Sequence, residues 1–400
     1  MRSYDAVVIG AGPAGGSAAF FLARAGLRVA VVERREFPRR KVCGEFVSAA
    51  TFPILDEIGI GHALRSAGGP PVGRVGIIGS RAAITAPMPP AANPSSLSAS
   101  GLGRTLRRDV LDTELLGAAE GAGAEVFQPW RGVGLRSSAG RHTLTIQSGD
   151  ATEDLSAPIL VVAHGSWEPG PLPTQPEHRH RPDDLLAFKA YFRGATFDPD
   201  LISLIAIPGG YGGMVHRDPE HVGLSLCLRR DHLERCRAQA PDASTGESVF
   251  RYAAAHARGV AEAIDGAEFE SAPMAAGPIR PGLHPPYERG IFRVGNAAGE
   301  AHPAIAEGIS IAIQSGLLLG NVLATSTESL DVAGARYAAA WRAQFRGRLR
   351  ASEAFARACM SPTADRLLAP VLTAFPGLLT TAAVLSGKTK PLRTEWDSPV

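Results

Sequence analysis

The stretch YDAVVIGAGPAGGSAAFFLARAGLRVAVVERRE, residues 4–36, constrains the fold more than any other part of the chain. Ala6–Ile9 is a short apolar run typical of a buried parallel strand, and a second such run is closed by Glu33. Between them, Gly10, Gly12 and Gly15 have the GxGxxG spacing. This spacing suits a tight turn, a close approach of backbone to a pyrophosphate, and a helix packed on a strand. The unit therefore predicts a Rossmann-like dinucleotide-binding domain.

The glycine turn and the start of the following helix are the expected cofactor-binding segment. Pro13 suits a first helical turn, and the amide groups and positive dipole end of a helix N-terminus favour phosphate. Glu33 can accept hydrogen bonds from a ribose and would repel a 2′-phosphate. The motif by itself does not separate FAD from NAD. We expect the cofactor to be held here by Gly10, Gly12, Pro13, Ala14, Gly15 and Glu33.

Length and composition limit the classes of function. With 400 residues, 45% of them hydrophobic, the chain exceeds one ordinary domain, so two interleaved lobes are expected. A formal net charge of +2 predicts no basic surface for nucleic acid, which favours a small-molecule substrate. The four cysteines lie far apart without a CxxC pair, so the sequence predicts neither a metal site nor a disulfide framework. A reducing cytoplasm fits this pattern.

A second segment, FRVGNAAGEAHPAIAEGISIAIQSG (residues 292–316), favours FAD. It reads as a strand that ends at Gly295, a loop of small residues against which a flat ligand can lie, and a helix that begins near Glu307 and Gly308. At these residues the chain resembles the flavoprotein oxidoreductases that include aromatic hydroxylases, flavin-dependent halogenases and geranylgeranyl reductases. The resemblance covers roughly residues 4–320.

The resemblance implies an α/β fold with an α+β second lobe. A Rossmann-like FAD-binding domain is expected to be interleaved with an antiparallel-sheet substrate domain and followed by a helical C-terminal region. The expected bounds are 1–70, 100–170 and 271–330 for the discontinuous FAD-binding domain, 71–99 and 171–270 for the substrate domain, and 331–400 for the C-terminal helices.

The resemblance also assigns residues to the cofactor. Gly295 and Asn296 begin the loop that usually reads Gly-Asp-Ala-Ala, whose Asp binds the ribityl chain, so an amide replaces a carboxylate here. Gly308 and Ile309 belong to a segment that passes beside the isoalloxazine ring. Arg108, in RTLRRDVLDTELL, matches an arginine that lies near the FAD phosphates or the ribityl chain.

The stretch RRKVCGEFVS places Cys43 where geranylgeranyl reductases carry a similar Lys-Val-Cys-Gly sequence. In the family this segment runs over one face of the flavin. Cys43 is therefore expected beside the ring, either as a proton donor or as a small hydrophobe packed against the cofactor. In the basic run that precedes it, Arg40 and Lys41 are the candidates for contact with a phosphate or an anionic substrate.

Two further residues are candidates for chemistry. His164 occupies the position of the Asp in the family's Ala-Asp-Gly strand end, where a histidine can titrate near neutrality and act on substrate or flavin, or serve only the structure. Tyr211, in PGGYGGMVHRD, can orient a phenolic substrate or merely cap its loop.

The segment LLAPVLTAFPGLLTTAAVLSG, residues 367–387, carries no charge over the length of a membrane span. Pro370, Pro376 and Gly377 predict two short apolar helices joined by a bend instead. The N-terminal apolar stretch, which Asp5 and Arg24 interrupt, does not have the order of a signal peptide. We expect a cytoplasmic protein, with the C-terminal apolar region as a candidate for peripheral contact with a membrane.

Three functions stay open. The leading one is an NAD(P)H-consuming monooxygenase that hydroxylates or epoxidises an aromatic or polyketide-type metabolite of secondary metabolism through a flavin C4a-hydroperoxide. The second is a flavin reductase or dehydrogenase of C=C bonds with Cys43 as proton relay, and the third is a non-catalytic flavin-binding protein. Halogenation is disfavoured because Trp130, Trp167, Trp341 and Trp396 do not form the Trp-x-Trp spacing of the halogenases.

Overall fold

The computed structural model describes residues 1–80, 83–91, 101–176, 180–390 and 392. Trp396 lies outside these residues, as do residues 81–82, 92–99 and 177–179 of the segments 71–99 and 171–270 that we assigned to the substrate domain. The described strands are β1 Arg2–Ser3, β2 Ala6–Ile9, β3 Val29–Val32, β4 Phe46–Val47, β5 Arg74–Ile78, β6 Ala83–Pro87, β7 Arg104–Thr105, β8 Glu125–Phe127, β9 Arg131–Ser138, β10 Arg141–Ser148, β11 Ala151–Ala157, β12 Ile159–Val162, β13 Leu185–Arg193, β14 Leu201–Ile207, β15 Gly210–His216, β16 His221–Arg229, β17 Glu268–Phe269, β18 Met274–Ile279, β19 Gly282–Leu283, β20 Tyr287–Glu288, β21 Ile291–Arg293 and β22 Gly299–Glu300. The described α-helices are α1 Pro13–Arg24, α2 Phe52–Ile58, α3 Gly61–Ala67, α4 Arg108–Gly121, α5 Arg230–Gln239, α6 Thr245–His256, α7 Arg258–Ile264, α8 Gly308–Thr325, α9 Leu330–Cys359, α10 Pro362–Ala374 and α11 Gly377–Leu385.

A six-stranded sheet, in the order β20-β21-β12-β2-β3-β8, forms the first lobe. Its strands are parallel except for the β20–β21 pair. Strands β2, β3 and β12 consist entirely of buried apolar residues because both faces of the sheet are covered. Val8 and Val31 face the helices α1, α4 and α8, whereas Val7 and Ile9 face a four-stranded sheet in the order β1-β11-β10-β9.

An eight-stranded sheet forms the second lobe, with the order β17-β13-β16-β15-β14-β5-β6 and with β18 paired to β13. All of its pairs are antiparallel except β14–β5. On one face, Phe188, Met214 and Leu224 share a buried cluster with residues of α6 and α7. The other face is turned to the first lobe. The predicted fold class is confirmed, whereas the residue bounds of the domains stay a prediction.

The chain ends in a helical region, as predicted. The 30-residue helix α9 is followed by α10 and α11, which are bent by 109° at the break between them, so the predicted pair of short apolar helices is confirmed. Among the described residues, α8 is the single helix that is long and apolar enough to cross a membrane by itself, and 72% of it is buried inside the fold. This burial is expected of a core helix, and α8 packs along α1.

Helices α1 and α8 approach each other so closely that Gly316 has no room for a side chain. A Cβ at this position would overlap the Ser17 hydroxyl and lie 2.7 Å from the backbone nitrogen of Ala18. We therefore expect Gly316→Ala to lower the free energy of unfolding by about 1–3 kcal/mol, because the two helices must separate. Urea unfolding followed by circular dichroism measures this change.

Gly117→Ala is the matched control. Gly117 lies exposed in the middle of α4 with no atom near the position of a Cβ, so the substitution should raise the free energy of unfolding by about 0.5–1 kcal/mol. Equal effects of the two substitutions would contradict this account of the helix contact.

Candidate functional site

Three loops meet at the carboxyl edge of the parallel sheet, after β2, β12 and β21. Gly10 has a φ of +98°, and a Cβ there would lie 2.7 Å from the carbonyl oxygen of Ala163. A Cβ on Gly15 would overlap the carbonyl oxygen of Gly10. On the third loop, a Cβ on Gly295 would lie 2.7 Å from that of Ala14. The glycines predicted from the sequence thus allow the three loops to close on one another.

The first loop offers a cradle for a pyrophosphate. Gly12 is the N-cap of α1 and no side chain caps the helix, so its first amide groups are free for a ligand. A Cβ on Gly12 would have one neighbour within 4 Å, the Arg108 guanidinium at 3.6 Å. Pro13 occupies the first helical position as predicted. The arrangement suits a phosphate held between helix and guanidinium.

Glu33 is fixed by backbone amides at the end of β3. Its Oε2 accepts a hydrogen bond from the N–H of Ala11 at 2.9 Å, and its Oε1 accepts one from the N–H of Arg35 at 2.9 Å. The side chain is buried, so these bonds fix its orientation. A carboxylate held in this way can bind a ribose with its remaining lone pairs.

Arg108, Asp112 and Arg39 form a charged cluster behind this cradle. Arg108 donates two hydrogen bonds to Asp112, at 2.8 and 2.7 Å, and Arg39 Nη2 lies 3.5 Å from the same carboxylate. Arg39 Nε is buried and has no hydrogen-bond partner among the described residues. An unpaired buried guanidinium nitrogen beside the cradle is what a bound anion would satisfy. The residues therefore fit the phosphates of FAD.

In the segment after β3, the side chain of Arg39, and not that of Arg40, points to Asp112 and the cofactor cradle. Arg40 is exposed, and its Nη1 donates to Ser271 Oγ at 3.4 Å. The sequence analysis named Arg40 and missed both Arg39 and Asp112. The spacing of Arg108 and Asp112, one helical turn apart, was a signal for their pairing. The choice between the adjacent arginines depends on backbone direction, which the sequence does not give.

The third loop contains a hydrogen-bonded chain that the sequence analysis missed. Asn296 donates through Nδ2 to Glu300 Oε1 at 2.9 Å, and the Ser166 hydroxyl donates to Glu300 Oε2 at 2.6 Å. Burial raises the pKa of Glu300 to about 7, although Ser166, the nearby Lys41 ammonium and Asn296 oppose the shift. Glu300 supplies a carboxyl group next to Asn296, the residue at which the family's usual carboxylate is replaced.

The raised pKa of Glu300 links stability to pH. The folded chain holds this proton more tightly than the unfolded chain, whose glutamate has a pKa of 4.5. The contribution of Glu300 to stability is therefore fully present below pH 4.5 and is lost as the pH rises through about 7.

Lys41 approaches the same region from the segment after β3. Its Nζ lies 5.6 Å from the centroid of the Trp167 ring. Burial lowers the pKa of Lys41 to about 8, and Arg108 and Arg39 lower it further. Lys41 thus places a cation of lowered basicity between the pyrophosphate cradle and Glu300.

His164 has both ring nitrogens occupied. Nδ1 donates to the carbonyl of Gly165 at 2.9 Å, and Nε2 accepts from the Thr174 hydroxyl at 3.1 Å. Burial lowers the pKa of His164 to about 4, and Arg293 and Arg34 also lower it. The ring is therefore neutral at pH 7, which does not agree with the expected titration near neutrality and favours the structural role.

Cys43 lies between the cofactor cradle and the second lobe. Its carbonyl accepts a hydrogen bond from the Ser225 hydroxyl of β16 at 3.3 Å, and its Sγ accepts one from the N–H of Glu45 at 3.4 Å. Arg108 lies next to Cys43 on the side of the cofactor cradle. Burial lowers the pKa of the Arg108 guanidinium, but its interactions with Asp112 and Cys43 raise that pKa above the ordinary value. The thiol is half-buried and so remains accessible.

Tyr211 is fully buried on β15 and is turned to the third loop. Its hydroxyl lies 3.0 Å from Nδ1 of His302. Burial raises the pKa of Tyr211 well above its usual value and lowers that of His302 to about 4, so the phenol donates to a neutral imidazole. This bond joins the second lobe to the loop before α8. The geometry agrees with the capping role rather than with contact to a phenolic substrate.

Helix α8 begins at Gly308, as predicted, and its N-terminus is anchored to the C-terminal region through Glu307. The fully buried Glu307 accepts hydrogen bonds from Arg348 at 2.9 Å and from Lys388 at 3.1 Å, both in the C-terminal region. Gly308 is exposed with no atom within 4 Å of the position of a Cβ, whereas Ile309 is buried beneath it. The helix start therefore presents bare backbone to a ligand.

Comparison with known families agrees with this geometry. Residues 3–331 match the family described as FAD binding domain. The chain belongs to the FAD binding domain family. The matched range includes Glu33, Arg108 and the three loops, and the membership confirms FAD as the cofactor type and a flavin-dependent oxidoreductase family. Among the described residues, no group of His, Cys, Asp and Glu side chains can hold a metal ion.

The relatives to which this FAD binding domain protein is similar include one named as a receptor and two named as reductases. It is 27% identical over 369 residues to conditioned medium factor receptor 1 of Dictyostelium discoideum, matching 86% of this chain and 68% of that one. It is 25% identical over 358 residues to digeranylgeranylglycerophospholipid reductase 1 of Methanopyrus kandleri, matching 86% and 87%. A shorter match, 30% identical over 167 residues, is with menaquinone reductase of Mycobacterium tuberculosis, covering 42% of this chain and spanning 39% of that protein.

Similarity of fold extends to halogenases. The flavin-dependent brominase Bmp2 superimposes with a TM-score of 0.75, covering 97% of this chain and 94% of its own, at 16% identity. At that identity the similarity shows the fold alone.

The hydrogen bond between Asn296 and Glu300 explains why an amide is tolerated at this position. Asn296→Asp would place two carboxylates in contact and should lower the free energy of unfolding by about 1–3 kcal/mol, with a larger loss at about pH 8 than at about pH 5. The double variant Asn296→Asp/Glu300→Gln restores an amide–carboxylate pair in the reverse order. We expect it to recover most of the stability and the FAD content, measured by thermal melting and flavin fluorescence. A double variant as unstable as the single one would contradict this explanation.

Proposed function

We propose that the protein is an FAD-dependent reductase of carbon–carbon double bonds in a lipophilic substrate, with NAD(P)H as electron donor. The observation that carries this proposal is the position of Cys43, a half-buried thiol between the Arg108 side of the cofactor cradle and β16. Further support is the similarity to a digeranylgeranylglycerophospholipid reductase, which covers 86% of this chain and 87% of that protein. When bound and reduced, FAD supplies hydride chemistry.

The chain's own residues bind the cofactor and deliver the proton. The N-terminus of α1, with Arg39 and Arg108, binds the pyrophosphate, while Glu33 binds the ribose. Asn296, with Glu300 beside it, would hold the ribityl chain of the cofactor. Cys43 delivers a proton to the carbon that does not receive the hydride.

A monooxygenase that acts on an aromatic or polyketide-type metabolite, the leading candidate from the sequence, is the second candidate. One observation favours it. Gly213, on the sheet face turned to the first lobe, carries no side chain, and a Cβ on it would have a single neighbour within 4 Å. Space of this kind suits a ring-shaped substrate. Oxygen reactivity distinguishes the two candidates.

The reductase predicts a slow, featureless return of the oxidised flavin spectrum when the anaerobically reduced protein is mixed rapidly with oxygenated buffer. A transient absorbing species before the oxidised spectrum returns would instead favour the monooxygenase. With a reductase, Cys43→Ala should lower the rate of reduction of an isoprenoid enal such as geranial by about 10²-fold or more, because proton delivery is lost, while FAD stays bound.

Cys236→Ala is the control for this experiment. Cys236 is a buried thiol on α5 that packs on the far face of the second sheet, so its removal should leave turnover near that of the unaltered protein. Equal turnover of the Cys43 and Cys236 variants would reject the proton-donor role. A protein that stays yellow but does not oxidise NAD(P)H with any candidate substrate would favour the non-catalytic alternative. Its support is the loss of the family's acids at His164 and Asn296, together with the receptor name of the Dictyostelium relative.

We also propose that α10 and α11 contact a membrane surface from which a lipophilic substrate is delivered. Their exposed apolar side chains are Leu367, Leu368, Val371, Phe375, Leu378 and Leu385. α11 packs near β6, the outer strand of the second sheet, where Thr380 donates a hydrogen bond to the carbonyl of Pro87. Apolar helices at that edge can rest in the headgroup region of a bilayer.

Sedimentation with phosphatidylcholine–phosphatidylglycerol vesicles checks this contact. Leu367→Ser/Phe375→Ser removes two side chains that are 68% and 65% exposed, and the bound fraction should fall several-fold. Val332→Ser, on the exposed face of α9, should leave it unchanged. No vesicle binding by the unaltered protein would reject the contact.

A further inference from the structure

Lys189 is a charged residue in the interior of the second lobe. It lies in the middle of β13 and is 1% exposed. Its neighbours along the strand, Phe188 and Ala190, point to the apolar cluster against α6 and α7. Because side chains alternate across a strand, the Lys189 side chain points to the opposite face, which is turned to the first lobe. This is the face that carries the Cys43 contact.

The Lys189 ammonium has few partners for a buried cation. Among the residues that the structure describes, it pairs with one carboxylate, Glu45 Oε2, at 3.4 Å. This oxygen itself has no hydrogen-bond partner, whereas Glu45 Oε1 accepts a hydrogen bond from the Tyr191 hydroxyl at 2.7 Å. An ammonium carries three N–H donors, and a buried charge is costly unless its donors are used. The site thus holds hydrogen-bonding capacity that the described residues leave unused.

Gly223 lets the Lys189 ammonium lie against the backbone of β16. Gly223, on β16, stands opposite Tyr191, and a Cβ there would lie 2.8 Å from Lys189 Nζ. The adjacent Ser225, paired with Lys189 across the strands, hydrogen-bonds the carbonyl of Cys43. Lys189 and the Cys43 segment are therefore neighbours across β16.

We propose that Lys189 is the binding site for the oxygen of an α,β-unsaturated carbonyl substrate, which takes up the unused donors of the ammonium in competition with Glu45. The inference rests on the proposed reduction of C=C bonds and names the substrate class. An isolated alkene gives a buried ammonium nothing to bind. A conjugated carbonyl places an acceptor oxygen at a fixed distance from the double bond that is reduced.

Lys189 and Cys43 supply the charge stabilisation and the proton that reduction of the conjugated double bond requires. Hydride addition at the β-carbon breaks the C=C π bond and moves its electron pair onto the carbonyl oxygen as an enolate. The Lys189 ammonium stabilises this negative charge by a charge-assisted hydrogen bond. The α-carbon takes a proton from the Cys43 thiol as the C=O bond re-forms, and the thiolate regains a proton from water. NAD(P)H supplies the two electrons for the next turnover.

Binding of an enolate mimic to the FAD-loaded protein tests the site without turnover. Pentafluorophenol, which is ionised at neutral pH, presents an anionic ring oxygen, and pentafluoroanisole is its neutral counterpart. Binding is followed by the change in flavin absorbance. We expect Lys189→Met to weaken pentafluorophenolate binding about tenfold or more and to leave pentafluoroanisole binding unchanged. Lys390→Met, at an exposed position, should match the unaltered protein for both ligands.

Glu45→Gln separates ligand binding from a purely structural ion pair. It removes the competing carboxylate, so pentafluorophenolate should bind more tightly than to the unaltered protein, whereas a structural pair would be damaged equally by either substitution. If Lys189→Met does not retain FAD, Lys189→Met/Glu45→Gln leaves no unpaired buried charge and replaces it in the assay.

The inference is overturned if the unaltered protein does not bind pentafluorophenolate, if Lys189→Met binds it equally well, or if Glu45→Gln weakens it as much as Lys189→Met does. If Lys189→Met loses binding of pentafluorophenolate but not of pentafluoroanisole, the Lys189 site is supported even when the unaltered protein reduces no enal. That result would reject only the proposed reaction.

Discussion

The close approach of α1 to the end of β2 is the constraint on which the rest of the site depends. A Cβ on Gly15 would overlap the carbonyl oxygen of Gly10, so the helix can begin directly above the strand only with glycine at both positions. This contact sets the direction of α1, and with it the free amide groups that face the pyrophosphate. The loops after β12 and β21 then close on this turn through Ala163 and Gly295. A larger residue at the turn would displace all three loops together.

The site departs from the family's sequence pattern at Asn296 and His164, and neighbouring groups compensate for each departure. The family's aspartate is Asn296 here, but Glu300 brings a carboxyl group into contact with that amide. The second departure, His164, is held neutral with both nitrogens bonded. In each case a charge of the family pattern is absent from one position. For Asn296 a titratable group appears four residues away, whereas for His164 the surrounding hydrogen bonds alone suffice.

The sequence predicted what depends on local pattern. The strand–turn–helix unit and the start of α8 at Gly308 follow from periodicity, glycine spacing and small-residue loops. Glu300 and Lys189 were missed because their roles arise from pairing between segments distant in the chain. Arg39 was missed in favour of Arg40 because adjacent residues of an irregular segment differ in direction for reasons of tertiary packing. The alternation along β13 was the one available signal for Lys189, a charge in the middle of a largely apolar strand.

Glu307 couples the cofactor helix to the far end of the described chain. The carboxylate at the start of α8 is neutralised by Arg348 of α9 and by Lys388, which follows α11. During synthesis on the ribosome, residues 1–325 emerge long before Lys388 does. Until then Glu307 lacks both of its cationic partners, and a buried carboxylate without a paired cation costs several kcal/mol. The N-terminus of α8 is therefore electrostatically complete only when the C-terminal helices have docked.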